Sequence, residues 1–123
     1  IKFNILRSSM FAIAKSGTIS LEICNSNIPS IIIYKMGIIN FLIVKFLTKV
    51  KYANIINIAS DEEIIPELLQ SKCNSKDIYT TVDKLLSNNK LLEDQVMKFQ
   101  SIISKFKTDK SSELACKVLI DHL

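Results

Sequence analysis

The chain is short of the residues from which most catalytic and metal-binding motifs are built. Its one histidine, His122, stands at the extreme end, and its three cysteines, Cys24, Cys73 and Cys116, are odd in number and widely spaced. No pair has metal-ligand spacing, so nothing suggests a zinc site, and free thiols in a reducing compartment are expected. No Ser/His/Asp triad and no Walker loop can be assembled. Arginine occurs once, as Arg7, and the remaining basic residues are lysines not expected to be interleaved with exposed aromatics. A nucleic-acid groove therefore has little support, and nucleic acid is not expected as a partner. No apolar run reaches the roughly 20 residues that a membrane-spanning helix needs. The run 23–34 is interrupted by Asn25, Asn27 and Pro29, and the run 36–44 is far shorter. Lying on a membrane surface stays open. These residues show no internal repeat or low-complexity tract and lead to no expectation of a secretory signal, and Ile1 in place of methionine suggests a fragment or a numbering that starts inside a longer frame.

What is present is globular. At 123 residues with 48% hydrophobic content, the chain suffices for one domain with a real core and not for two of ordinary size. Its net charge of +4 is unevenly spread: residues 1–60 carry seven basic side chains against a single acid, Glu22, while residues 61–123 carry nine against eleven. A basic first half suits an anionic partner, whether nucleotide diphosphate, phospholipid surface or nucleic acid. A lone acid in that half suits a specific contact, or a pairing with Lys15 or Lys35.

The stretch that organises the chain is Ser16-Gly17-Thr18-Ile19-Ser20-Leu21-Glu22. The apolar run 10–14 before it reads as a short buried strand, and a helical pattern from about Thr18 to Cys24 follows, stopped by Asn25-Ser26-Asn27. Residues 29–34 then read as a second strand whose β-branched run does not alternate, as expected of a parallel strand covered on both faces. Strand, helix and strand form a βαβ unit, and ligands collect at the carboxyl ends of such strands, where Ser16, Gly17 and Lys35 lie. A turn of small residues often serves only as a turn. At a helix start it also leaves backbone N–H groups free for an anion, and Glu22, one turn past Thr18, can accept hydrogen bonds from sugar hydroxyls. Phosphate at the helix tip with a ribose beside the carboxylate describes a nucleotide site.

Beyond it, apolar residues of 38–50 wrap most of a helix, leaving only Lys45, Thr48 and Lys49 as a polar stripe; such a helix is either core or a docking face. Residues 52–59 look extended, with Asn57 between Ile56 and Ile58. Ser60-Asp61 reads as the cap of an acid-led helix through Gln70, with Pro66 near its first turn. Ile78, Val82, Leu85 and Leu86 form one helical stripe, begun by Asn74 and ended by Asn88-Asn89. Leu92, Val96, Phe99, Ile103 and Phe106 form a second. Residues 108–112 break the chain before Leu114, Ala115, Val118 and Leu119.

Several of these segments, in this order, resemble lipid-A-disaccharide synthases. Ser16 to Glu22 looks like that family's SGTxxLE motif. The likeness continues through Pro29, Tyr34-Lys35-Met36, Lys49-Val50-Lys51-Tyr52, Asn57, Glu63 and Pro66-Glu67-Leu68-Leu69-Gln70. The resemblance implies an α/β fold: part of a Rossmann-like C-terminal domain of the glycosyltransferase B fold, with parallel strands and a helical tail. Residues 1–70 would be a partial donor-nucleotide-binding domain and 71–123 an amphipathic tail packing on it. It implies a C-terminal fragment of the enzyme that joins UDP-2,3-diacylglucosamine to 2,3-diacylglucosamine 1-phosphate in the β-1,6 lipid A disaccharide. No cofactor or metal is implied. Ser16, Gly17 and Thr18 match the turn near the donor phosphates, Glu22 the acid that grips the ribose, and Asn57 a residue of the donor region. Many relatives carry Gly-Arg-Glu where this chain has Asp61-Glu62-Glu63, and a glutamate in place of that arginine opposes a diphosphate. Catalytic residues are expected on the missing amino-terminal domain, so the fragment alone is expected to be inactive. The implied setting is cytoplasmic, peripheral on the inner membrane of a Gram-negative bacterium, with a separate amino-terminal chain or a second copy as partner. The rival expectation is a non-catalytic interaction or membrane-surface domain that docks through 38–50.

Overall fold

The computed structural model describes residues 2–47 and 51–106. Thr48, Lys49 and Val50, the break at 108–112, the last apolar stripe, Cys116 and His122 lie outside the described residues. The elements, in order, are α1 (Lys2–Arg7), β1 (Ala12–Lys15), α2 (Thr18–Asn25), β2 (Ser30–Tyr34), α3 (Ile38–Leu47), α4 (Ile55–Ser60), β3 (Glu67–Leu69), α5 (Ser75–Leu86) and α6 (Asn89–Phe106), with a 3₁₀ turn over Gln70–Lys72. The protein is α/β: the described residues form one sheet in the order β1-β2-β3, with all three strands parallel. Ile13 pairs with Ile31 and Ala14 with Ile32, and Ile32 pairs in turn with Glu67.

The central strand is apolar at successive residues because both of its faces are covered. Ile32 faces Ala14, Ile23 and Cys24 of the β1–α2 unit together with Ile56, Ile65, Phe99 and Ile103. Ile31 faces Leu68 and Leu85, with Ile78, Val82, Leu91 and Leu92 against them. Both isoleucines are fully buried, each stabilising the fold by about 1.5–3 kcal/mol relative to exposure. Helix α6 serves both layers: Leu91 and Leu92 at its start join the second cluster, Phe99 and Ile103 the first.

Between those two groups lies Gln95, buried, and its position follows from the alternation of peptide groups along β2. The Pro29 carbonyl turns towards β1 and accepts the Ala12 N–H; the Ile32 N–H turns towards β3 and donates to Pro66. Ser30, two residues before Ile32, also turns its N–H and C=O to the β3 side, where β3 has not yet begun. Gln95 fills the gap: its Oε1 accepts the Ser30 N–H at 2.7 Å and its Nε2 donates to the Ser30 carbonyl at 3.0 Å and to Ile64 at 3.2 Å. One side-chain amide stands in for the missing strand.

Helix α2 stops as its asparagines suggest. Asn27 adopts φ 59°, its N–H donates to Cys24, and the Ile28 N–H reaches back to Ile23, the paired bonds of a Schellman ending. Asn74 caps α5 by accepting the Asp77 N–H at 2.9 Å.

Three readings of the sequence are corrected. The short buried strand expected over 10–14 is β1 at Ala12–Lys15, and of its residues only Ala14 is buried, while Ile13 and the preceding Met10 are exposed. The stretch 52–59 is not extended: Asn54 accepts the Ile56 N–H and starts α4, which ends at Asp61 in a left-handed conformation, φ 51°. No helix runs from Ser60 to Gln70; Ser60 ends α4, and the residues after it form a turn, β3 and the start of the 3₁₀ turn. The left-handed backbone at Asp61 is one that glycine, asparagine and aspartate enter most readily.

Candidate functional site

The carboxyl ends of the strands release three loops: Ser16-Gly17 after β1, Lys35-Met36-Gly37 after β2, and Gln70 after β3. Gly17 is held at φ 147°, ψ −167°, a region that only glycine enters without strain. That conformation turns the chain from strand to helix. Gly17 caps α2 without any side-chain hydrogen bond, and α2 has no acid in its first turn. Its opening residues Gly17 and Thr18 are exposed, and the N–H groups of the first turn lie at the positive end of the helix dipole. Such a corner is suited to an anion. Glu22 stands one turn further along α2, half-buried.

The other loops are tied to this corner. The Ser16 hydroxyl donates to the Ala53 carbonyl at 3.0 Å, joining the β1–α2 turn to the loop before α4. Gln70 clasps the exit of β2 at both ends: its Oε1 accepts the Met36 N–H at 2.8 Å and its Nε2 donates to the Met36 carbonyl at 3.2 Å. The Lys15 ammonium lies 5.1 Å from the centre of the Tyr34 ring, so the last residues of β1 and β2 share a cation–π contact.

Asn57 is enclosed, and its side chain is fully used. Nδ2 donates to the Ile65 carbonyl and to Glu67, and Oδ1 accepts the N–H groups of Ile64 and Ile65. Glu67 is the hub of this network. It is 8% exposed, on the sheet face shared with Ala14 and Ile32, and it accepts from Ala53 N at 2.7 Å, Asn54 N at 2.8 Å and Asn57 Nδ2 at 2.8 Å. Three N–H donors compensate the burial of the carboxylate. Glu67 also faces the start of α4, where a negative group is favoured. Sequence reasoning assigns no role to Glu67, Asn54 or Gln70. The one signal is an acid in the middle of the apolar run Ile64-Ile65-Pro66-Glu67-Leu68-Leu69, a place where an acid is buried and held or is not tolerated.

The structure thus gathers Ser16, Gly17 and Thr18 at one corner, sets Glu22 on the same helix, and joins Asn57 to them only through Glu67 and the 53–54 loop. Glu62, which replaces the expected arginine, pairs with Lys98 of α6. Among the described residues no three or more His, Cys, Asp and Glu side chains gather as a metal would require. Among them, too, no helix is long and apolar enough to cross a membrane.

Comparison with known proteins bears on the same residues. A family model described as lipid-A-disaccharide synthetase matches residues 2–120. The chain is 42% identical over 114 residues to the lipid-A-disaccharide synthase of Rickettsia typhi, covering 90% of this chain and 30% of that protein. It is 40% identical over 121 residues to that of Rickettsia conorii, covering 89% of this chain and 27% of the relative. With the Rickettsia felis protein it shares 39% identity over 131 residues, 97% of this chain and 34% of the relative. The chain therefore spans about a third of the length of the curated relatives it matches.

Proposed function

Because this chain belongs to the lipid-A-disaccharide synthetase family, we propose that it is the donor-nucleotide-binding part of a glycosyltransferase of lipid A biosynthesis. The observation that carries this reading is the uncapped, exposed start of α2 at the carboxyl end of a parallel sheet, with a carboxylate one turn behind it. The complete enzyme would take a UDP-sugar, UDP-2,3-diacylglucosamine, as donor and 2,3-diacylglucosamine 1-phosphate as acceptor. The acceptor hydroxyl attacks the anomeric carbon, the new β-1,6 bond forms as the bond to UDP breaks, and the proton passes to a base outside these residues. The N–H groups of Gly17 and Thr18 meet the charge that develops on departing UDP, an anion held by dipoles already in place. Glu22 accepts hydrogen bonds from the ribose. Asn57 helps to hold the wall of the site. The acceptor side and the base belong to an amino-terminal domain, so this chain alone binds donor nucleotide without turning it over, on the cytoplasmic side of the inner membrane.

Titration of UDP against the full chain and against Glu22→Ala tests the reading. The wild-type chain binds, and the variant loses about 1–3 kcal/mol, the range for a hydrogen bond to a charged group. Equal affinity of the two, or none in either, refutes it.

A second reading rests on α3, where Ile38 and Ile39 are about three-quarters exposed and Leu42 and Ile43 are exposed beside them. An exposed apolar face of this kind suits a docking domain or a peripheral membrane contact. It predicts salt-sensitive association with anionic liposomes that ignores UDP and Glu22→Ala alike.

A further inference from the structure

We propose that Glu67 is a positioning residue for the α2 corner, acting through a single peptide plane. The inference rests on the reading of that corner as a nucleotide site. A buried carboxylate needs a reason to be where it is. Glu67 has no ion pair among the described residues; it has instead two consecutive backbone N–H groups, Ala53 and Asn54, and the amide of Asn57. The N–H of Asn54 and the C=O of Ala53 belong to one peptide unit, which is planar and points the two groups in opposite directions. Glu67 Oε1 holds its N–H end at 2.8 Å; the Ser16 hydroxyl holds its C=O end at 3.0 Å. Carboxylate, peptide and hydroxyl thus form one line, in which each hydrogen bond polarises the next.

Two consequences follow for the corner. The Ser16 proton is committed to Ala53, so Ser16 does not donate to a phosphate; it clasps the turn, and the anion is left to the backbone N–H groups of Gly17 and Thr18. The orientation of that turn is then set from the third strand, because Glu67 fixes the plane on which Ser16 closes. The isosteric substitution Glu67→Gln cannot reproduce this. The amide nitrogen it introduces must face either the Ala53 N–H or the pair of donors at Asn54 and Asn57, donor against donor.

The test uses the 123-residue chain with amide NMR, thermal melting and UDP titration on wild type, Glu67→Gln, Ser16→Ala and the double variant. In folded Glu67→Gln the amide signals of Gly17 and Thr18 move with those of Ala53 and Asn54, and UDP binds about tenfold more weakly, as expected for one lost interaction with a charged group. The double variant binds no more weakly than the weaker single one, because both act on one line. The proposal is overturned if Gly17 and Thr18 signals stay in place while Ala53 and Asn54 signals move, or if the two losses add. If Glu67→Gln fails to fold, Glu67→Asp, which keeps the charge but shortens the reach, takes its place with the same expectations. If wild type does not bind UDP, the nucleotide reading falls, and the Gly17 and Thr18 signals alone decide whether Glu67 positions the turn.

Discussion

Replacing Gln95 by leucine removes the amide that stands in for a strand while leaving the volume nearly unchanged. Three hydrogen bonds disappear, one from the Ser30 N–H, one to the Ser30 carbonyl and one to Ile64. The Ser30 N–H has no alternative partner, since its side of β2 faces a place where β3 is absent. An orphaned buried donor costs about 1–3 kcal/mol, and each of the two carbonyls adds up to about 1 kcal/mol. Leucine returns about 1 kcal/mol by burying apolar surface at a site only 5% exposed. The net loss is centred on about 2 kcal/mol, which for a domain of this size lowers the melting temperature by about 8 °C. Urea and thermal unfolding followed by circular dichroism measure it directly. If Gln95→Leu melts within a degree or two of wild type, the account of the amide as a surrogate strand is wrong, and the polar side chain is a bystander in an apolar interface.

Two further expectations concern single atoms. Gly17→Ala meets no steric obstacle, since nothing lies within 4 Å of an added Cβ; its cost is conformational alone, about 1–3 kcal/mol for a non-glycine residue held in that region. A stability loss in that range together with weakened UDP binding is expected, and an unchanged melting curve would show that the turn has another conformation. Burial pushes the Cys24 thiol from 9.0 up to about 12. Its folded form keeps its proton where the unfolded chain has lost it, so stability falls as pH rises from about 9 towards 12, by about 1.4 kcal/mol per unit. Urea titrations of wild type against Cys24→Ala isolate that slope, and the same slope in both would refute the assignment.

Much of the fold can be read before any coordinates, for reasons that are local. Strand, small-residue turn and helix over 10–25 announce themselves by an apolar run, Gly17 and an asparagine stop. Helices α5 and α6 do so by stripes at three and four residues, and the cap by Asn74 is a matter of three neighbouring residues. The stretch 52–70 misleads because its order is imposed from a distance. Ile55, Ile56 and Ile58 have the composition of a strand, yet the capping oxygen of Asn54 and the left-handed Asp61 confine them to a helix of six residues. The acids at 61–63 look like the first turn of a helix; Glu62 instead reaches Lys98, and Glu63 accepts the Glu67 N–H. A three-residue strand such as β3 has too few side chains to show a period, and its identity rests on pairing with Ile32, Ile33 and Tyr34. The candidate site divides in the same way. The corner at Ser16, Gly17 and Thr18 is legible from spacing, whereas the role of Glu67 depends on where Ala53 and Asn57 come to rest.

The path of α6 has a consequence for how the molecule comes apart. One continuous rod stitches together the two oily strata, with Leu91 and Leu92 in one and Phe99 and Ile103 in the other. Neither stratum can be peeled away while its neighbour stays whole, so a protease that gains entry in the middle of that rod would find both strata already open.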